Sequence, residues 1–136
     1  MWIDQKGSSV LLRSECMRLL TIAAKEVGIG RIGVPTNQAP VVVRVNFGIQ
    51  DHQIFVRGGT GFFSRAAAGN LVAFEVDQVN ATEGIAWSVL VRGLARLIES
   101  PTEELATVAH PIVPETGDIV LVIRPDLLTG CRFDLH

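Results

Sequence analysis

Short runs of β-branched and apolar residues, separated by turn-forming residues, fill most of this 136-residue chain and limit the folds that it can adopt. Segments of this kind, rich in Val and Ile, are typical of β-strands. The breaks between them contain the Pro, Asn, Asp and Gly of tight turns, so we expect successive strands to be antiparallel neighbours. The predicted strands are residues 31–34, 41–49, 53–57, 71–76, 85–98 and 119–123, with a seventh candidate at 128–133.

One helix is expected before the strands. Ser14 and Glu15 supply a helix start, the apolar residues after them have helical spacing, and Gly28 is suited to end the helix. Two short helical insertions are plausible later in the chain, at residues 63–68 and 101–110. The predicted secondary structure is therefore mainly β (α+β), with an N-terminal helix and one or two short helices.

Six or seven strands in a chain of this size favour an antiparallel β-barrel, because full or partial closure removes the exposed edges of an open sheet. The run at 85–98 is long enough to cross two sides of such a barrel, and Gly93 is a suitable place for it to bend. The sequence contains no linker or internal repeat, so we expect residues 1–136 to form a single domain.

Composition excludes several classes of function. Hydrophobic residues make up 48% and charged residues 19% of the chain, as in globular proteins. A net charge of -2 provides no basic field for nucleic acid. Without a membrane-spanning run or a secretion signal, the protein is expected to be cytoplasmic, with no membrane partner. Cys16 and Cys131 lack metal-ligand spacing, so we predict buried reduced thiols and no metal site.

Residues 28–33 match the pattern G-x-G-x-x-G, which binds dinucleotides when it follows a strand and opens a helix. In this chain the expected order is reversed, since a helix precedes the glycines and a strand follows them. A dinucleotide-binding function is therefore not predicted, and Gly28 is interpreted as a helix end.

The segment 57–65, with the sequence RGGTGFFSR, is a candidate phosphate cradle. Its glycines allow backbone N–H groups to approach an anion, Ser64 can cap a short helix, and Arg57 and Arg65 flank the segment. A glycine-rich strand exit is more often a simple turn, so both interpretations remain open at this point.

Other polar and aromatic residues have a structural and a functional interpretation. Asn46 lies in an apolar run, so it is either exposed or hydrogen-bonded to backbone or ligand. Trp87 either fills the core or stacks on a planar ligand. Glu75 and Asp77 alternate with apolar residues and are expected on the solvent side. We expect the three histidines at the surface, and these are His52, His110 and His136.

Several segments, taken in order, resemble the small pyridoxamine 5'-phosphate oxidase-like proteins. They are Ser14-Glu15-Cys16 with Leu19-Leu20, Gly30-Arg31, Pro40 leading to Val45-Asn46-Phe47, Phe55-Val56-Arg57, Val72-Ala73-Phe74-Glu75-Val76-Asp77, Trp87 to Gly93, and Leu128-Thr129-Gly130-Cys131-Arg132. Each segment is short, but their order and spacing cover nearly the whole chain.

The resemblance implies a split β-barrel homodimer with a flavin mononucleotide (FMN) at each subunit boundary. By this likeness Val45 and Asn46 lie beside the flavin ring, and Arg57 and Gly58 lie near the ribityl chain and phosphate. The pair Trp87-Ser88 is then expected near the cofactor, from a neighbouring strand or subunit. The flavin supplies the redox chemistry, and no catalytic residue is identified.

The sequence departs from the family pattern in the candidate cradle. Similar proteins usually carry a lysine after this strand, and Phe63 occupies the corresponding position here. Without that cation, the expected affinity for a phosphate is lower unless Arg65 replaces it. Arg44 stands where such proteins often have proline, and it offers another cation.

The function predicted from the resemblance is an FMN-dependent oxidoreductase, or an FMN-binding protein, that acts on an unknown small molecule. One alternative is a dimeric barrel without a cofactor that binds another ligand or protein. Another is a reductase that uses a deazaflavin as a diffusible cosubstrate.

Overall fold

The computed structural model describes residues 8–58, 67–98, 108 and 119–134. This part of the chain forms one helix, α1 (Arg13–Glu26), and eight strands. The strands are β1 (Ser8–Val10), β2 (Ile29–Val34), β3 (Val41–Gln50), β4 (Gln53–Gly58), β5 (Leu71–Asn80), β6 (Ile85–Ile98), β7 (Ile119–Ile123) and β8 (Leu127–Asp134). Within the described residues, no helix has the length and apolarity needed to cross a membrane.

Six of the strands close into an antiparallel barrel. The pairings run from β2 to β3, β4, β7, β6 and β5, and β5 pairs again with β2. The remaining strands, β8 and β1, extend the sheet from β6. The predicted mainly β class, the antiparallel pairing and the split barrel are confirmed.

The long strand β6 joins the barrel to the extension. Its first part pairs with β8 as far as Arg92, and its last part pairs with β7 from Ala95 onward. Gly93 lies between the two pairings, and a Cβ atom there would overlap the carbonyl oxygen of Arg124. The structure shows a change of pairing partner at this position, and the predicted bend at Gly93 stays a prediction.

Alternation along each strand separates a core face from an outer face, which we call the outer surface of the barrel. On the core face, the rings of Phe47 and Phe74 meet edge to face, with centroids 5.0 Å apart. The helix α1 contributes Cys16, Leu20 and Ala23 to the same core. Hydrophobic burial of this single cluster accounts for the closure of the barrel.

The ends of α1 differ partly from the prediction. The helix begins at Arg13, so Ser14 lies inside its first turn, and the carboxylate of Glu15 accepts a hydrogen bond from the backbone N–H of Leu12 at 3.2 Å. Gly28 has φ 68, and its N–H donates to the carbonyl of Ala23 at 2.8 Å. The predicted role of Gly28 as the helix end is confirmed.

Other predictions differ from the structure in detail. Strand β1 was not predicted, because three residues beginning with two serines give little strand signal. Cys131 is half-buried, so only Cys16 is a fully buried thiol; both are free. The predicted insertions 63–68 and 101–110 lie outside the described residues, except for the positions 67, 68 and 108. His52 is exposed in the β3–β4 turn as predicted, and His110 and His136 lie outside the described residues.

Candidate functional site

Asn46 and Arg57 lie side by side on the outer surface of the barrel. They are register partners across β3 and β4, and the next pair in the ladder is Phe47 with Val56. Since Phe47 and Val56 are buried in the core, strand alternation directs Asn46 and Arg57 to the opposite face. The structure thus brings together two of the residues predicted to contact a cofactor.

The surroundings of this pair are partly closed to solvent. The side chain of Asn46 is 0% exposed, and Asn46 is the buried polar residue of the described chain. Arg57 is half-buried and in register with Val120 of β7, which forms a second apolar cluster with Phe55 and Val122. Both Asn46 and Arg57 take part in interactions within the chain. Asn46 points to the outer side of the barrel wall but is covered, and it has a partner within the chain. The alternative of a solvent-exposed Asn46 is therefore excluded.

The candidate phosphate cradle begins at the end of β4. Gly58 is the last residue of that strand and is in register with Ile119. Phe63, which occupies the position of the expected lysine, and Arg65, the second flanking cation, lie outside the described residues. Their roles stay predictions.

Val45 and Trp87 face away from the outer surface. The side chain of Val45 is buried in the core cluster, and the whole residue is 1% exposed. Trp87 is half-buried, packs against the same core and is in register with Gln78 and Arg132. Within one chain, Trp87 therefore packs in the core, which was the first of its two interpretations.

Ser88 faces the outer surface, but at a distance from Asn46. It is in register with Asp77 of β5 and Cys131 of β8. The strand order places β5 and β2 between β6 and β3. Three strand spacings correspond to roughly 14 Å. Within one chain, Ser88 and Asn46 therefore do not form a single compact site.

The outer surface also carries an ion-pair cluster that the sequence analysis did not predict. The guanidinium of Arg31 lies 3.0 Å from the carboxylate of Glu75 and 2.7 Å from that of Asp77. The hydrogen bond to Glu75 is the main cause of the raised pKa of Arg31, and the charges of both carboxylates add to it. The predicted outward orientation of Glu75 and Asp77 is confirmed. Their partner was missed because it depends on the adjacency of β2 and β5.

Three of the predicted site residues thus direct polar side chains to the outer surface. They are the buried amide of Asn46, the half-buried guanidinium of Arg57 and the hydroxyl of Ser88. In the part of the chain that the structure describes, no group of three or more His, Cys, Asp and Glu residues is placed to hold a metal ion.

A closed antiparallel barrel, a long strand shared with a two-stranded extension and a polar pair on the outer surface define a small split-barrel protein. Residues 13–132 match the model of the pyridoxamine 5'-phosphate oxidase family, so the chain belongs to this family. The resemblance inferred from the sequence is thereby confirmed.

Individual relatives agree with this assignment. An uncharacterised protein of Mycobacterium tuberculosis is 33% identical over 129 residues, which cover 88% of this chain and 82% of the relative. The FAD binding protein from Mycobacterium smegmatis has a TM-score of 0.73 and 28% identity, over 92% of this chain and 98% of that one. A Corynebacterium glutamicum protein, provisionally named a pyridoxamine 5'-phosphate oxidase, has a TM-score of 0.76 and 26% identity, over 99% of both chains.

Proposed function

We propose that this protein binds a flavin nucleotide on the outer surface of its barrel and uses it as an oxidoreductase on a small organic molecule. The observation that carries the proposal is the register pair Asn46 and Arg57 at the point where β4 leads into a glycine-rich segment. Family membership, and the FAD binding for which the Mycobacterium smegmatis relative is named, support a flavin as the ligand.

Arg57 fits the phosphate end of a flavin nucleotide. It is half-buried beside the apolar residues Phe55 and Val120, where an ionic hydrogen bond is less screened by water than at an open surface. The sequence after it contains glycines at 58, 59 and 61, which permit close approach of backbone N–H groups. We propose that Arg65 supplies the second cation in place of the lysine that is replaced by Phe63.

Asn46 fits the ring end of the same ligand. Its carboxamide carries an acceptor and two donors, and the pyrimidine edge of a flavin alternates carbonyl and N–H groups. We propose that Asn46 orients the ring. Because Asn46 is 0% exposed and Val45, its neighbour in β3, is 1% exposed, this contact requires the groups that cover them to be displaced by the ring.

The shape of the site supports the proposal of a second subunit. The outer surface of a barrel is convex, so one chain covers only one face of a planar ring. Ser88 lies too far from Asn46 to cover the other face within the same chain. Val79 and Leu90 lie on the outer surface near Ser88, and Val79 is 72% exposed. We propose a homodimer in which Ser88 of β6 in one subunit approaches the flavin of the other, with Trp87 packed behind it against the core.

In this proposal the flavin supplies the electron transfer when bound, and the protein supplies binding, orientation and exclusion of water. FMN is the form that the family resemblance implies, whereas the Mycobacterium smegmatis relative is named for FAD. The outer-surface site accepts either form at Arg57, because both carry a phosphate on the ribityl chain.

The visible absorption spectrum of the purified protein tests the proposal, before and after incubation with FMN, with FAD and with the deazaflavin F420. Bound FMN or FAD should give a retained flavin spectrum after gel filtration, and sedimentation velocity should give a dimer at micromolar concentration. Retention of the deazaflavin alone would contradict the proposal and support a deazaflavin-dependent reductase. Retention of no compound would contradict it and support a barrel without a cofactor that binds another ligand or protein. A monomer with bound flavin would contradict the subunit-boundary site.

A further inference from the structure

A second candidate site lies on the outer surface where the start of β5 pairs with the second half of β6, at the end of these strands away from Ser88. It is an open groove of about 500 Å³, which is within the size range of pockets for small organic ligands. Its apolar walls include Leu71 and Leu127, which are 70% and 54% exposed. Exposed apolar side chains gathered around one groove are typical of a binding site.

The floor of the groove is flat because its residues are small. Gly33 and Ala73 are register partners across β2 and β5, and neither side chain extends beyond a methyl group. The same cross-strand row continues from Ala73 to Arg92 on β6 and to Leu127 on β8. A flat floor between raised side chains favours a planar, apolar ring over a branched or globular ligand.

The charges at the groove favour an anion. The lining residues of the described chain include one cation, Arg92, and one anion, Asp126. Arg124 holds Asp126 through two hydrogen bonds of 2.6 and 3.3 Å, and this contact lowers the pKa of Asp126. Within the described residues, the side chain of Arg92 has neither an ion pair nor a hydrogen bond. A cation at the edge of an apolar groove is thus available to a ligand.

We propose that this groove binds a small aromatic carboxylic acid, with the ring on Gly33 and Ala73 and the carboxylate at Arg92. The two carboxylate oxygens match the fork of the guanidinium donors. The site is separate from Asn46 and Arg57, so this inference does not rest on the flavin proposal.

Isothermal titration with 2-naphthoic acid and its neutral amide, 2-naphthamide, tests the groove in the intact protein. The acid should bind about three- to tenfold more tightly than the amide, the gain expected for a partly exposed ionic contact. The Arg92→Gln variant should lose this preference. Its matched control is Arg96→Gln, because Arg96 lies four residues further along the same face of β6 and outside the groove.

Filling the floor tests the position of the ring. A Cβ atom at Gly33 would have the Ala73 methyl group as its nearest neighbour, at 3.7 Å, so Gly33→Val fits the strand while occupying the groove. This variant should weaken binding of the acid at least tenfold with an unchanged circular dichroism spectrum. Ala73→Leu fills the same floor from β5 and provides a second blocking variant.

The proposal would be overturned by any of three results. The acid and the amide bind equally or not at all; the Arg96 variant loses as much affinity as the Arg92 variant; or the two floor variants fold and bind like the wild type. Saturating FMN should leave the affinity for 2-naphthoic acid unchanged. Competitive displacement by FMN would place the acid at the flavin site and would also contradict the proposal.

Discussion

Asn46 and Arg57 face each other across β3 and β4 on the outer surface, while their chain neighbours Val45 and Val56 point into the core. One face of the barrel wall therefore forms the core, and the opposite face carries the proposed flavin site. Substitutions of adjacent residues on the same strand should separate these two roles.

The neighbours Asn46 and Val45 provide the first test of this separation. Asn46→Leu keeps the branched shape of the side chain but removes the amide, so flavin affinity should fall at least tenfold while the protein remains folded. Val45→Ala removes buried apolar surface from the core and should cost about 2 kcal/mol of unfolding free energy. Flavin fluorescence quenching and urea unfolding measure the two effects. Equal flavin affinity in wild type and Asn46→Leu would exclude Asn46 from the site.

The change of partners along β6 depends on a glycine. In Gly93→Ala, the new methyl group would overlap the Arg124 carbonyl and force backbone shifts, so we expect a loss of about 1–3 kcal/mol. The matched control is Gly33→Ala, whose nearest neighbour would lie 3.7 Å away. That variant should be neutral, or more stable by up to about 1 kcal/mol. Similar urea midpoints for the two variants would contradict the close approach of Gly93 to the Arg124 carbonyl.

The Arg31 ion pairs should contribute modestly to stability. Arg31 is 41% exposed, so its two contacts are screened, and Arg31→Gln should cost about 0.5–1 kcal/mol at low salt. The loss should shrink in 1 M NaCl. Arg44 is in register with Arg31 across β2 and β3, so Arg44→Gln removes a like charge and should be neutral or slightly stabilising. Thermal unfolding measures the stability of both variants. A larger loss of stability for Arg44→Gln than for Arg31→Gln would contradict the stabilising role of the Arg31 ion pairs.

The buried thiol of Cys16 should make stability fall at alkaline pH. Burial raises the pKa of this thiol above its ordinary value, and the charge of Glu15 adds to the shift. The folded state then retains a proton that the unfolded state releases, so the unfolding free energy decreases as pH rises above about 8.5. Below that pH the thiol is protonated in both states and the difference disappears. Urea unfolding between pH 7 and 10 should therefore show a steeper decline for wild type than for Cys16→Ala. Parallel declines would contradict this account.

The local sequence pattern was sufficient for most of the fold. Strands β6 and β7 have the predicted ends, because long β-branched runs are bounded there by unambiguous breaks. Strand β5 continues to Asn80, beyond the predicted residue 76, because residues 77–80 pair with the start of β6. That pairing outweighs their polar composition, and a local pattern does not reveal it.

The site was predictable only in part, and for a similar reason. Asn46 could be recognised as a polar residue in an apolar run, but its orientation required the register with Arg57. The Arg31 cluster depends on the adjacency of β2 and β5. The groove floor also joins residues from these two strands, and Arg92 comes from a third. Contacts between strands distant in sequence have no signal in a single chain without an alignment.

The most direct test of the central claim is the contribution of the flavin phosphate to binding, measured as the ratio of the riboflavin and FMN dissociation constants. A charge-assisted contact at Arg57 predicts a ratio of about 10–100 for the wild type. The ratio should fall about tenfold in Arg57→Gln, and it should remain at the wild-type value in Arg96→Gln. A ratio near one in the wild type, or an unchanged ratio in Arg57→Gln, would contradict a flavin phosphate held at the exit of β4.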